Sequence, residues 1–92
     1  MKIVQVTAGR DYEGTVWTAL FSSLEKAYED LRNSPPNAFA GVDDLDIAWV
    51  GLDDNSYERI EVFDVKFVWG EPDTVTFRKW DSETKSYVEV KF

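Results

Sequence analysis

The sequence contains neither cysteine nor histidine among its 92 residues. Without cysteine, the chain has no disulfide framework, no thiolate zinc site and no cysteine nucleophile. Without histidine, it lacks the side chain that most often serves as a general base at neutral pH, and it lacks imidazole metal ligands. These absences remove the means of most enzyme classes, so the sequence predicts a protein that is not an enzyme and has no cofactor.

Glycine-rich motifs and long apolar runs are also missing. Gly9 and Gly14 flank a turn, but they lack the further glycines and the lysine of a phosphate-binding loop. No segment approaches the roughly 20 apolar residues that cross a bilayer, and no signal-peptide stretch follows Lys2. We therefore expect no membrane association and a cytoplasmic location, which would be the host cytoplasm if the protein is viral.

Basic residues are scarce relative to acidic ones. The chain has 10 Lys and Arg residues against 18 Asp and Glu residues, a net charge of −8. Contacts with nucleic-acid phosphates or anionic lipids normally rest on clustered Lys and Arg, so no direct nucleic-acid binding is expected. A protein partner with a basic surface fits this charge better.

The first third of the chain predicts two strands and a helix. Residues 2–8 and 15–21 are rich in Val, Ile, Thr and aromatic side chains and read as a hairpin. Ser22 is expected to cap the following helix, with Glu25 reaching back to the cap amide. Residues 33–37 contain two prolines and should end this helix. Within this helix, four apolar residues form one stripe: Leu24, Ala27, Tyr28 and Leu31.

The remainder of the chain predicts strands. The segments are residues 45–52, 57–69, 74–80 and 87–92. Within residues 57–69 the apolar positions change parity, so we expect a bulge or a bend near Val62 and Phe63. The whole order predicts an α+β domain of residues 1–92, with a mainly antiparallel sheet of five to six strands and one amphipathic helix packed on one face.

The last predicted hairpin has a register that can be tested. Pairing Trp80 with Tyr87 places both on a solvated face, where they are expected to clasp each other across the strands. The same register pairs Arg78 with Glu89, Thr76 with Lys91, Phe77 with Val90, and Val75 with Phe92. The other three tryptophans are expected in the sheet core: Trp17, Trp49 and Trp69.

One segment resembles a known group of proteins. Phe21-Ser22-Ser23-Leu24-Glu25-Lys26-Ala27 follows a strand pair and opens a helix, and it resembles small uncharacterised proteins of phages and bacteria with the same strand-strand-helix start. The resemblance covers the first third of the chain. It implies a small cytosolic accessory protein and assigns no functional residue.

The acidic excess is concentrated in residues 41–64, the acidic segment. This segment has eight acids against the single base Arg59, a net charge of −7, whereas residues 1–40 carry −1 and residues 65–92 carry 0. Three interpretations compete: charges on a sheet edge that prevent aggregation, a cation site, or a recognition surface. The spacing does not fit a calcium loop, so no metal site is assigned.

The sharpest hypothesis is recognition of a basic partner. The expected partner-binding residues are Asp43, Asp44, Asp46, Asp53, Asp54, Glu58 and Glu61, with Trp80 and Tyr87 as a second contact. The carboxylates of the acidic residues would bind the partner's Lys and Arg side chains in place of nucleic-acid phosphates. Combined with the phage-like resemblance, this suggests an inhibitor of a nucleic-acid-handling host protein, such as a CRISPR effector or a restriction enzyme. The alternative is a structural or accessory module whose acidity serves solubility.

Overall fold

Six antiparallel strands form a single sheet in the computed structural model, which describes residues 2–92. The elements in chain order are β1 (Lys2–Arg10), β2 (Gly14–Phe21), α1 (Leu24–Asn33), a 3₁₀ helix (Pro36–Phe39), β3 (Asp44–Gly51), β4 (Tyr57–Val68), β5 (Thr74–Asp81) and β6 (Ser86–Val90). The strand order across the sheet is β2-β1-β3-β4-β5-β6. The predicted α+β fold, with one α-helix on a mainly antiparallel sheet, is confirmed.

Helix α1 begins one residue later than the sequence analysis expected. Ser23, not Ser22, is the cap, because its Oγ accepts a hydrogen bond of 3.2 Å from the Lys26 amide. Glu25 therefore lies in the first turn, where a carboxylate favours the positive end of the helix dipole. Ala27 and Leu31 are buried on the predicted apolar stripe.

The link between α1 and β3 is more than the expected loop. Residues Pro36–Phe39 form a 3₁₀ helix that places Phe39 in the core with no solvent exposure. The Phe39 ring packs edge-on against Phe77, with centroids 4.9 Å apart. Trp17 closes this end of the core, donating from its indole nitrogen to the Ala38 carbonyl at 3.0 Å. One face of the sheet is thus covered by α1 and the 3₁₀ helix together.

Strand alternation explains which side chains lie under that cover. The buried apolar residues contributed by the sheet are Val4, Val6, Ala8, Leu45, Ile47, Ala48, Phe63 and Val65. Most follow a period of two, so their neighbours on each strand point to the opposite face. We call that opposite, uncovered side the outer face.

The expected bulge lies two residues earlier than predicted. Ile47 pairs with Glu61 and the next residue, Ala48, pairs with Arg59, so Ile60 is the extra residue on β4. Ile60 packs against the core, while Val62 is 41 % exposed on the outer face. The predicted change of parity along β4 is present, but the hydrophobic pattern alone does not show which residue is the extra one.

The last hairpin has the predicted register over its central part. Trp80 pairs with Tyr87, and the flanking pairs Arg78 with Glu89 and Phe77 with Val90 also form. Strand β6 ends at Val90, so the two outermost predicted pairs do not form. Phe92 instead turns onto the core, where it contacts Tyr28, Phe63 and Phe77.

The tryptophans divide differently from the prediction. Trp17 and Trp49 pack against the core. Trp69 follows the end of β4 and is 73 % exposed, so its assignment to the core was wrong. Trp69 instead contacts Phe67 edge-on at 4.8 Å, beyond the part of the sheet that the helices cover.

Candidate functional site

The outer face carries a continuous lateral row of one glycine and four charged residues. Gly9, Asp44, Asp64, Arg78 and Glu89 lie directly opposite one another on five successive strands. Two acids, Asp44 on β3 and Asp64 on β4, are therefore immediate cross-strand neighbours. Like charges directly opposite each other in a sheet are destabilising.

A cleft opens on the outer face around these two acids. It has a volume of about 340 Å³ and is lined by Asp11, Asp43, Asp44, Val62, Phe63, Asp64, Trp80 and Tyr87. We call it the acidic cleft. Its lining, drawn from the part of the chain that the structure describes, includes four aspartates, two exposed aromatic residues and no basic residue.

Asp44 differs from Asp46 and Asp64, its neighbouring acids on the outer face. Within residues 2–92 its side chain makes no hydrogen bond or ion pair, whereas Asp46 and Asp64 each hold an arginine. Burial, followed by the negative charges of Asp11, Asp43 and Asp46, raises the pKa of Asp44. The cleft thus contains a carboxylate with free acceptor capacity in a locally negative environment.

Gly9 makes room for this carboxylate. A Cβ atom at Gly9 would lie 2.6 Å from Oδ1 of Asp44, closer than atoms can approach. Gly9 and Asp44 are paired residues of β1 and β3, so the Asp44 side chain leans over the glycine backbone. Any larger residue at position 9 would displace it.

Asp64 and the aromatic wall are held by one arginine. The Nε of Arg78 donates to Asp64 Oδ2 at 2.8 Å. The guanidinium carbon of Arg78 also lies 4.9 Å from the centre of the Tyr87 ring, within cation–π range. Trp80 meets Tyr87 edge-on at 5.3 Å, so the expected clasp is present. Trp80 and Tyr87 remain 53 % and 51 % exposed and border the acids directly.

Asp43 brings a distant turn to the cleft. Its Oδ2 accepts the amide hydrogen of Asp11 at 2.8 Å, which ties the β1–β2 turn to the start of β3. The Asp43 backbone is fixed on both sides, because its amide donates to the Gly9 carbonyl and its carbonyl accepts from Val65. The Asp11 carboxylate thereby joins the cleft lining.

The remaining predicted site residues do not lie in the cleft. Asp46 is on the outer face, where it accepts from Tyr57 Oη at 2.8 Å and from Arg59 Nη2 at 2.9 Å. Asp53 and Asp54 are in the β3–β4 turn. Hydrogen bonding from the Ser56 side chain, followed by that from the Ser56 amide at 2.8 Å, lowers the pKa of Asp54.

Glu58 and Glu61 point toward the covered side of the sheet. Glu58 lies 3.8 Å from the Lys2 amine, and Glu61 forms an ion pair of 2.7 Å with Lys79. Tyr28 lies on α1, and the pKa of its phenol is raised by burial and then by the negative charge of Glu61. The acidic segment is therefore divided between two faces and a turn rather than gathered on one surface.

Two acids of the cleft, Asp11 and Asp64, were absent from the predicted site. Asp64 belongs to the acidic segment but was not assigned to the site. Its neighbours Phe63 and Val65 are on the core face, so the alternation of side chains along a strand could have placed Asp64 on the outer face. Asp11 lies in a turn that is far away in sequence, and no local signal marks it. The second-contact residues Trp80 and Tyr87 belong to the same cleft as Asp43 and Asp44.

The acidic segment does not protect a sheet edge. Its strands β3 and β4 are the two central strands, and the edges are β2 and β6. The interpretation of these charges as an edge that prevents aggregation is therefore wrong in its geometry. Within residues 2–92, no three carboxylates converge in a way that could hold a metal ion. The described chain also has no helix of the length and apolarity needed to span a membrane.

Comparison of the chain with protein-family models, with curated proteins and with solved structures finds no match in any of the three. Function is therefore inferred from the geometry and charge of the cleft itself.

Proposed function

We propose that this protein is a non-catalytic binding protein whose acidic cleft receives an arginine or lysine side chain from a basic protein partner. The observation that supports this most is the lining of the cleft. Four aspartates line it together with two exposed aromatic residues, and the carboxylates of Asp11 and Asp44 make no hydrogen bond or ion pair within residues 2–92. Guanidinium groups form paired hydrogen bonds with carboxylates and stack on aromatic faces, so this combination suits arginine in particular.

The energetics favour recognition over a purely solubilising role. Solubilising charges can be placed anywhere on a surface, preferably far from one another. Here Asp44 and Asp64 are directly opposite in the sheet, and Asp44 is partly desolvated beside three further acids. A partner cation would relieve this repulsion, so the arrangement that weakens the free protein strengthens the complex.

The class of partner follows from the same charge. A basic surface that accepts this face would ordinarily bind nucleic-acid phosphates, because clustered Lys and Arg are the usual phosphate ligands. The protein would block that surface by occupying it, as an inhibitor of a nucleic-acid-handling host protein of the CRISPR or restriction type. Its carboxylates would take the place of nucleic-acid phosphates on the partner's basic surface.

A direct test measures binding to a purified basic DNA-binding nuclease and to an arginine-rich peptide by titration calorimetry. Asp44→Asn should weaken binding about tenfold or more, since a charge-assisted hydrogen bond is worth about 1.5–3 kcal/mol. Trp80→Ala should weaken it about two- to fivefold, since a cation–π contact at an exposed site is worth about 0.5–1 kcal/mol. Asp53→Asn is the matched control, because it removes the same charge from the β3–β4 turn and should change affinity less than about twofold.

The outcomes separate recognition from general acidity. Binding should weaken steeply with added salt and compete with DNA for the nuclease. Equal losses for Asp44→Asn and Asp53→Asn would show that only net charge matters. The absence of binding to both basic probes would refute the proposal and leave the accessory-module alternative.

A further inference from the structure

A second hollow lies on the covered side of the sheet, between the C-terminal end of α1 and the last two strands. Helix α1 packs mainly on β1 and β2, and the 3₁₀ helix packs on β4 and β5, which leaves a gap beside edge strand β6. The hollow has a volume of about 400 Å³, within the range of small-molecule pockets. We call it the apolar groove.

The groove is apolar where it adjoins the core. Six apolar residues line it: Leu31, Phe39, Val75, Phe77, Val90 and Phe92. Leu31 and Phe39 are buried, and the other four are half-buried. Protein interiors are close-packed and contain few voids larger than a water molecule. A gap of this size beside the core therefore offers an apolar group a place to bind without disturbing the fold.

Two basic residues line the same groove. Arg32 is in the last turn of α1, and Lys91 directly follows β6. Both are exposed, and neither takes part in the ion pairs formed within residues 2–92. The one acid in the lining, Glu89, is paired with Arg78 in the row on the outer face, so its side chain points away from the groove. Two positive charges thus accompany an apolar lining, in a chain whose net charge is −8.

We propose that the apolar groove binds an amphipathic carboxylate, with its alkyl tail against the core and its head group on Arg32 and Lys91. Charge selects the head group, because Arg and Lys form charge-assisted hydrogen bonds with carboxylates. Both side chains are long and flexible enough to reach a head group at the mouth of the groove. The volume selects a single alkyl chain, since a helix of about 10–12 Å diameter is too large for this space.

The groove is independent of the acidic cleft. The two hollows share no lining residue, and they lie on opposite sides of the sheet. Their charges are also opposite, so a cationic ligand belongs in the cleft and an anionic one in the groove. The inference therefore does not rest on the proposed function, and either can fail without the other.

Titration of the full chain with decanoate below its micelle concentration, followed by amide NMR, tests the proposal. Decanoate should shift the amides of residues 31–34, 75–77 and 89–92 and leave Asp43 and Asp44 unchanged. It should bind about 15-fold more tightly than octanoate, because each of the two additional CH₂ groups contributes about fourfold when buried. Decylammonium, which has the same tail and the opposite charge, should not shift the amides of the groove.

Substitution of the two bases tests the head-group contact. Arg32→Gln and Lys91→Gln should each weaken decanoate binding about two- to fivefold, since an exposed pair of opposite charges is worth that much in affinity. Lys66→Gln is the matched control, because Lys66 is an equally exposed base on β4 that does not line the groove. It should change the affinity less than about 1.5-fold. Circular dichroism confirms that each variant is folded.

Four results would overturn the proposal. The first is a wild-type chain that binds decanoate no more tightly than about 1 mM. The second is equal affinity for octanoate and decanoate, which would mean that the tail is not buried. The third is a set of decanoate shifts outside the groove, or decylammonium shifts within it. The fourth is a loss for Lys66→Gln equal to that for Arg32→Gln and Lys91→Gln, which would mean that only net charge matters.

Discussion

Replacing Asp44 by asparagine should make the free protein more stable. Asp44 is opposite Asp64, has no partner among residues 2–92, and has a raised pKa caused first by burial and then by Asp11, Asp43 and Asp46. Asparagine has nearly the same shape and no charge. Arg78 already neutralises Asp64, so the repulsion comes mainly from Asp11, Asp43 and Asp46. Because an interaction between two exposed charges is worth about 0.2–1 kcal/mol, we expect a gain of about 0.5–1 kcal/mol. For a domain of this size, that corresponds to a rise in melting temperature of about 2–8 °C.

The gain should depend on pH in a definite direction. A carboxyl group whose pKa is higher in the folded state than in the unfolded state destabilises the fold when ionised. That penalty is fully present above the folded pKa, and it disappears as the pH falls through the folded pKa to below the ordinary Asp value of 3.8. The difference in melting temperature between Asp44→Asn and the wild type should therefore be full at pH 7 and close to zero at about pH 3.

Thermal unfolding followed by circular dichroism at several pH values measures this difference. Asp46→Asn is the control, because it lies two residues along the same strand and face but removes the partner of Arg59 and Tyr57. It should lower stability by about 0.5 kcal/mol at pH 7. If Asp44→Asn were neutral or destabilising at pH 7, the repulsion assigned to the acidic cleft would be wrong.

Three further predictions test the fold and the cleft wall. Phe39→Ala should cost about 3–5 kcal/mol in urea unfolding, since it empties a fully buried site, and a loss below about 1 kcal/mol would contradict its place in the core. Ser23→Ala should cost about 1 kcal/mol while Ser22→Ala changes little, and the reverse order would restore the cap expected from sequence. Arg78→Met should destabilise by about 1–3 kcal/mol because Asp64 then lacks its cation, and adding Asp64→Asn should recover part of that loss; purely additive effects would show that the pair is not coupled.

Periodicity predicted the fold well because its strongest signals are local. The apolar stripe of α1 and the Trp80–Tyr87 register both follow from spacing within a dozen residues. Trp69 was misplaced because parity tells which face a residue shares but not whether that face is covered. Trp69 lies one residue past the end of β4 and is 73 % exposed, although it shares the parity of the buried Phe63 and Val65.

The candidate site was only half accessible to sequence reasoning. The concentration of acids indicated the right segment, and Asp43 and Asp44 lie in the cleft. The division of the other acids among the β3–β4 turn and the covered side depends on strand direction and on the bulge at Ile60. The approach of Asp11 depends on a hydrogen bond between residues 32 positions apart, which no local pattern encodes.

The strand order has a consequence for how the chain folds. Every pair of neighbouring strands is consecutive in sequence except β1 and β3, which are separated by β2, α1 and the 3₁₀ helix. The β1–β2 hairpin and the β3–β6 meander can each form from nearby residues, but closing the β1–β3 seam requires a long loop to be ordered first, which is slow. Asp11 and Asp43 meet across that seam, so the cleft cannot be assembled before the seam closes. The same joining step that completes the core thus also creates the binding face, and neither half of the chain should present it alone.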